Sequence, residues 1–322
     1  MGYGSYSYDA HAALTAARRG TNVNEVFTRG GCHPSMNPFG VRVRESRDCE
    51  AHPESLAIIF ALDVSGSMGT IPEQLARKTL PDFMRALLNS GITDPQVLFM
   101  GIGNAVSDVA PLQIGQYESS EKLIDQWLTR LFLEGGGSGG NENYELAMYF
   151  AARHTAMDCF EKRHRRGYLF LTGDEPPNPV VSRHEVQQLI GDVLPDDVPI
   201  TEMIEELQRA FEPFFLIPDP GRARKVGRDW RDLLGERVVV MESPDDTSYV
   251  AAGLVSLLEE SEPSLDALVE RLCQSGLPTG QADRVAKSLS GFAAALERDG
   301  TPHPRSSRAR LARRDDESGF DR

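Results

Sequence analysis

Runs of consecutive apolar residues alternate along most of the chain with segments in which apolar residues recur every three or four positions. An apolar run is typical of a strand buried on both faces of a sheet, and the second pattern is typical of a helix with one buried face. The runs predict strands at 55–63, 96–103, 167–173, 211–219 and 237–241, with a shorter one at 112–117. The periodic segments predict helices at 72–88, 119–133, 141–155, 182–210, 229–234 and 247–259. This order predicts an α/β fold with a mainly parallel central sheet and helices on both faces.

The same pattern divides the chain into four parts. Residues 1–54 form an N-terminal extension with weak periodicity, and residues 55–260 carry the alternation of strands and helices. Residues 261–299 carry two helical stripes, which predict a helical hairpin. Residues 300–322 hold five arginines between Arg305 and Arg314 and few large apolar residues, a composition typical of a disordered tail.

Composition and net charge exclude some classes of binding partner. The 322 residues include 34 Lys and Arg against 48 Asp and Glu, a net charge of −14, which argues against nucleic acid or an anionic membrane as a general partner. No apolar stretch is long enough to cross a membrane. Four cysteines are too few for a disulfide framework, and the first residues lack the pattern of an export signal. We therefore expect a cytoplasmic protein with reduced thiols.

One short motif carries candidate chemistry. The segment Asp63-Val64-Ser65-Gly66-Ser67 directly follows the first predicted strand and precedes a helix. One carboxylate and two hydroxyls at alternate positions of such a loop can converge on a single hard cation, and Mg²⁺ prefers oxygen ligands in octahedral geometry. Because hydroxyls are neutral ligands, the ion keeps a positive charge that can attract an acidic group from another protein.

These residues resemble the metal-ion-dependent adhesion site (MIDAS) of von Willebrand factor type A (VWA) domains. The signature of that family is Asp-x-Ser-x-Ser after the first strand, a Thr in a later loop and an Asp after the fourth strand. Asp63, Ser65 and Ser67 match the first part. Asp174 follows the predicted strand GYLFLTG and matches the last part.

The middle part of the signature departs from the family pattern. The glycine-rich loop 135–140 and the residues NENYE after it contain no Thr. Ser138 could supply a hydroxyl in its place, and Asn141 could supply an amide oxygen. Asn141 is the preferred candidate, because it lies just before the predicted helix.

The resemblance spans about residues 55–260 and implies the Rossmann-like, three-layer VWA fold. It implies a Mg²⁺ ion, or Mn²⁺, held by the residues named above, with an open coordination position for a Glu or Asp of a partner protein. Such a chain binds and does not catalyse. It is similar to bacterial intracellular VWA proteins that act as adaptors beside AAA+ ATPases or stress-response machinery.

Other interpretations of the same residues stay open. The motif could serve only as a helix cap, since Asp and Ser are good N-caps, or an ion could merely brace the loops. A metal-dependent phosphoester hydrolase is also open. Its candidate carboxylates are Asp63, Glu142, Asp174 and Glu175. A serine hydrolase is disfavoured because the motif lacks Gly-x-Ser-x-Gly, and a P-loop is disfavoured because the glycine-rich loop has no Lys.

Overall fold

The computed structural model describes residues 4–66, 68–135 and 141–299, which form an α/β structure around a six-stranded sheet. The strands are β1 (Arg44–Ser46), β2 (Leu56–Asp63), β3 (Pro95–Ile102), β4 (Leu112–Ile114), β5 (Thr155–Met157), β6 (Gly167–Thr172), β7 (Val180–Val181), β8 (Val198–Pro199), β9 (Phe211–Ile217) and β10 (Val238–Val240). The helices are α1 (Tyr8–Ala17), α2 (Val23–Val26), α3 (Thr70–Gln74), α4 (Leu80–Asn89), α5 (Glu121–Thr129), α6 (Tyr144–Arg153), α7 (Asp158–Glu161), α8 (Arg183–Leu189), α9 (Ile200–Leu207), α10 (Pro220–Leu234), α11 (Thr247–Leu258), α12 (Leu265–Gln274) and α13 (Thr279–Asp299).

The central sheet has the strand order β10-β9-β6-β2-β3-β4. Its neighbouring strands are parallel except for β3 and β4, which are antiparallel. The residues of β2, β3, β6 and β9 are all buried, as expected of parallel strands that are covered by helices on both faces. The predicted α/β fold with a mainly parallel sheet is thus confirmed.

A row of phenylalanines crosses the sheet because the four inner strands are in register. Phe60 on β2 pairs with Phe99 on β3 and with Phe170 on β6, and Phe170 pairs with Phe214 on β9. The ring centroids of successive members are 5.9, 5.4 and 5.7 Å apart. Phenyl rings from α4 and α13 pack edge-on against the row at 4.9 and 5.1 Å. This packing fixes the strand register and so fixes which residues follow each strand at the same edge of the sheet.

Three of the predicted helical segments differ in extent from the helices of the structure. The helix predicted at 229–234 is the second half of α10, whose first half is rich in charge and glycine and so gives a weak apolar pattern. Its start is set by Asp219, which accepts two hydrogen bonds from first-turn amides, and by Pro220 at the first helical position. The segment 182–210 contains two helices, α8 and α9, because Gly191 with φ +98° ends the first.

The helix predicted at 72–88 is also divided, by a π-helical turn over Leu75–Thr79 between α3 and α4. At the N-terminal side, α1 packs on α4 and α5, and β1 pairs with β5. At the other end, α12 and α13 pack against each other, and α13 also contacts α11 and β10. The predicted tail 300–322 lies outside the described residues. Within those residues, no helix has both the length and the apolar character that crossing a bilayer requires.

Candidate metal centre

Asp63 and Asp174 belong to the ends of β2 and β6, the two adjacent strands at which the strand order along the chain reverses. From β2 the chain continues to β3 on one side, whereas from β6, on the other side of β2, it continues away to β9. Loops that leave adjacent strands in opposite directions open a crevice at the carboxyl edge, where open α/β sheets bind ligands. Asp63 is the last residue of β2, and Asp174 follows the end of β6 by two residues. The fold therefore brings these two predicted ligands to the same crevice.

The Asp63 side chain is held in place by two of its neighbours. Asp63 is fully buried. Its Oδ1 accepts a hydrogen bond from the backbone N–H of Ser65 at 2.9 Å, and its Oδ2 accepts one from the hydroxyl of Tyr144 at 2.9 Å. Burial raises the pKa of Asp63 to about 6; the hydrogen bonds from Ser65 and Tyr144 oppose that rise, and the charge of Asp174 adds to it. A carboxylate this deeply buried needs a positive charge or a proton nearby.

Tyr144, the first residue of α6, links the two loops. Its hydroxyl accepts the backbone N–H of Asp174 at 3.3 Å and that of Glu175 at 3.5 Å while it donates to Asp63. Gly173 makes room for the phenol, since a Cβ at this position would lie 2.3 Å from the Tyr144 hydroxyl. Tyr144 and Gly173 thus fix the separation of the β2 and β6 loops.

The carboxylate of Asp174 is paired with a cation. Asp174 is 5 % exposed, and its Oδ2 accepts a hydrogen bond from Nη1 of Arg222, in the first turn of α10. The Arg222 side chain is 37 % exposed, so the pair joins a buried acid to a base at the rim. The incompletely predicted first half of α10 therefore supplies a positive charge to the crevice.

The other predicted ligands are placed as follows. Ser65 is buried beside Asp63, and its side chain also hydrogen-bonds to that carboxylate. The side chain of Asn141 donates to Oδ1 of Asn178 at 3.5 Å, and its carbonyl accepts from the amide of Asn104 at 2.9 Å. Ser67 and Ser138 lie outside the described residues.

Glu142 is the residue that the binding hypothesis missed. It is 7 % exposed, and its Oε2 has no hydrogen-bond partner in the part of the chain that the structure describes. Burial, together with the negative charges of Asp63, Glu175 and Asp174, raises the pKa of Glu142 to about 8. Its sequence position, between two asparagines at the start of a helix, carries no signal for such an environment, although the hydrolase alternative did include it.

A second group of polar side chains surrounds Asn143. Asn143 donates to Glu145 at 2.7 Å and to Glu185 at 3.1 Å, and Asn178 also donates to Glu145 at 3.3 and 3.2 Å. These residues line a cavity of about 290 Å³ that Asn141 and Asn104 also border. Burial raises the pKa of Glu145 to about 7.

The crevice has the chemistry that a hard cation requires. Its described residues include buried carboxylates, among them a carboxylate oxygen that no described residue pairs, and the hydroxyl of Ser65, all of them oxygen ligands. Across residues 4–66, 68–135 and 141–299, no three His, Cys, Asp or Glu side chains converge closely enough to hold an ion by themselves. An ion in this crevice would therefore depend on the hydroxyls of the motif as well as on its carboxylates.

Comparisons with known proteins identify no family for this chain. No protein-family model matches the sequence, and no curated protein sequence matches it. Among solved structures, the open conformation of the pilus adhesin SpaC from Lactobacillus rhamnosus GG aligns at a TM-score of 0.43 and 11% identity, over 70% of this chain and 31% of that one. Proximal thread matrix protein 1 from the mussel byssus aligns at a TM-score of 0.42 and 11% identity, over 65% and 48%. The chain spans less than half the length of either protein.

Proposed function

We propose that this chain is a VWA-type protein-binding module that uses a Mg²⁺ ion at Asp63 to capture an acidic residue of a partner protein. The observation that carries the proposal is the position of Asp63. It lies fully buried at the end of the central strand, beside the crevice where the β2 and β6 loops diverge, and it shares Tyr144 with the segment that begins at Asp174.

The proposed ligands are oxygen atoms of the motif and of the neighbouring loops. Asp63, Ser65 and Ser67 would hold the ion, and Asp174 would contribute from the other side of the crevice. When bound, Mg²⁺ (or Mn²⁺) supplies a positive charge that an external carboxylate can approach. The chain's own part is to keep Asp63 oriented, through Ser65 and Tyr144, so that the charge remains at the crevice.

The proposed partner is a protein that offers a Glu or Asp side chain. By the family resemblance, the chain would act as an adaptor beside an AAA+ ATPase or a stress-response protein, with no role in catalysis. This assignment of a partner class rests on the resemblance alone.

The test compares the wild type with Asp63→Asn, which removes the charge and keeps the shape. Saturating Mn²⁺ or Mg²⁺ should raise the melting temperature of the wild type, since an ion at 100 times its Kd stabilises a fold by about 2.7 kcal/mol. Asp63→Asn should lose this response. Asp266→Asn removes an exposed carboxylate from α12 and should keep it.

Binding of acidic peptides is then measured with the full chain. Immobilised peptides that contain Glu or Asp should retain the Mg²⁺-loaded wild type and release it in EDTA, whereas matched Gln or Asn peptides should not retain it. An ion response that persists in Asp63→Asn, or retention that is unchanged by EDTA, would overturn the proposal.

A further inference from the structure

Asn141, Glu142 and Asn143, which follow the glycine-rich loop, differ in the hydrogen bonds of their polar atoms. Asn141 is partly exposed; its side-chain nitrogen donates to Asn178 at 3.5 Å, and its backbone carbonyl accepts from Asn104. Asn143 accepts the backbone N–H of Ala105 at 2.7 Å and donates to Glu145 at 2.7 Å. Glu142, between them, has a buried carboxylate oxygen that no described residue pairs by a hydrogen bond.

An orphaned, buried carboxylate oxygen requires an explanation. Nearly all buried polar side-chain atoms in proteins have a partner, because an unpaired one loses its hydration without compensation, and the loss is largest for a charged group. Glu142 lies two residues before Tyr144, whose hydroxyl donates to Asp63, and the charges that act on Glu142 are those of Asp63, Glu175 and Asp174, which are all negative. A divalent cation between Glu142 and Asp63 would satisfy the orphaned oxygen and remove the repulsion at once.

We infer that Glu142, and not Asn141, supplies the ligand from the glycine-rich loop to the cation held at Asp63. The inference rests on the proposed function, because it assigns one further ligand to the same ion. It changes the character of the site. With Asp63, Glu142 would add a second negative charge beside the ion, so the open coordination position would attract a partner's carboxylate less strongly than it would with a neutral hydroxyl or amide at this position.

The experiment measures Mn²⁺ affinity by calorimetry on the full chain. Glu142→Gln should weaken binding by at least about tenfold, since even the loss of groups that only orient a ligand costs about 10–100-fold. Asn141→Ala tests the competing loop ligand. Glu175→Gln removes the same charge from the same neighbourhood and serves as the matched control. Both should change the affinity by less than about threefold: Asn141→Ala removes no charge and, by this inference, no ligand, and the charge of the partly exposed Glu175 is screened.

Two further measurements separate a ligand from a merely nearby charge. Glu142→Asp keeps the charge but shortens the side chain. A ligand role therefore predicts weaker Mn²⁺ binding, whereas a long-range electrostatic role predicts an unchanged affinity for Mn²⁺. Melting in EDTA reports folding: Glu142→Gln should melt at or above the wild-type temperature, since the amide keeps the shape of the acid and carries no charge to bury.

The outcomes distinguish this inference from the proposed function. If Asp63→Asn abolishes Mn²⁺ binding while Glu142→Gln behaves as Glu175→Gln does, the inference fails and the proposed function stands. If Asn141→Ala gives the large loss instead, the loop ligand is Asn141. Failure of the wild type to bind Mn²⁺, or of Asp63→Asn to reduce it, overturns both.

Discussion

The hydroxyl of Tyr144 donates a 2.9 Å hydrogen bond to Oδ2 of Asp63 and accepts the backbone N–H groups of the two residues that follow Gly173. A single phenol thus connects the loop after β2 with the loop after β6. Because Asp63 is fully buried, this bond and the one from Ser65 do much to keep its carboxylate in one orientation.

Removal of this hydroxyl should destabilise the protein. Tyr144→Phe should lower the free energy of unfolding by about 1–3 kcal/mol, because a hydrogen bond to a buried charged group is lost and two backbone N–H groups lose an acceptor. Urea denaturation in EDTA measures the change. Tyr149→Phe, on the same helix, removes a bond to the partly exposed Asp192 and should cost less. An equal or larger loss in Tyr149→Phe would contradict this account of the Tyr144 hydroxyl.

Much of the fold follows from local sequence pattern. All eight residues of β2 are buried, so its sequence is an almost continuous apolar run, and this run is what predicts the strand at 55–63. The residues of β3 and β9 are likewise all buried. Parallel strands between helices leave few arrangements, so the edge at which Asp63 and Asp174 meet could also be predicted.

The remaining parts of the site depend on contacts that no local pattern contains. Tyr144 occupies a position that also fits the apolar face of a helix, and its hydroxyl gains a role only when β6 brings Gly173 beside it. Arg222 belongs to a helical turn whose charges and glycines hide its periodicity. The orphaned oxygen of Glu142 is a property of its three-dimensional surroundings, since a glutamate in a loop is ordinarily solvated.

Gly173 should tolerate no side chain while Tyr144 is present. Gly173→Ala would place a Cβ 2.3 Å from the phenol hydroxyl, so we expect a loss of about 1–3 kcal/mol in unfolding free energy as the two loops are forced apart. Gly280→Ala, in the first turn of α13, meets nothing within 4 Å and should be neutral or slightly stabilising. Thermal melts of both variants would refute the packing argument if they shifted equally.

The buried Glu145 makes stability depend on pH. Its pKa is raised by burial from 4.5 to about 7, so between these values the folded chain holds a proton that the unfolded chain has released. The contribution of Glu145 is therefore fully present below about pH 4.5, falls as the pH rises to about 7 and is constant above that. A shift of this size corresponds to about 3 kcal/mol at most.

Glu145→Gln isolates this contribution, because the amide resembles the protonated acid and the other titrating groups are shared with the wild type. The unfolding free energies of the two proteins should agree near pH 4.5. The wild type should then become progressively less stable than the variant up to about pH 7, as measured by urea denaturation in EDTA. A difference that is independent of pH would contradict the assignment.

The ion pair between Arg222 and Asp174 should oppose binding of a cation at the crevice. Arg222 places a positive charge on the buried carboxylate of Asp174, so Arg222→Met leaves the crevice more negative while keeping the length of the side chain. We expect Mn²⁺ affinity to increase by about two- to fivefold, a modest effect because the guanidinium is partly exposed and screened.

Arg224→Met makes the same change of charge at an exposed position on α10 and should leave the affinity nearly unaltered. Calorimetry at two salt concentrations checks the cause, since the gain from Arg222→Met should shrink at high salt. Weaker Mn²⁺ binding in Arg222→Met would mean that the pair holds Asp174 in the orientation the ion requires, contrary to the competition argued from its charge.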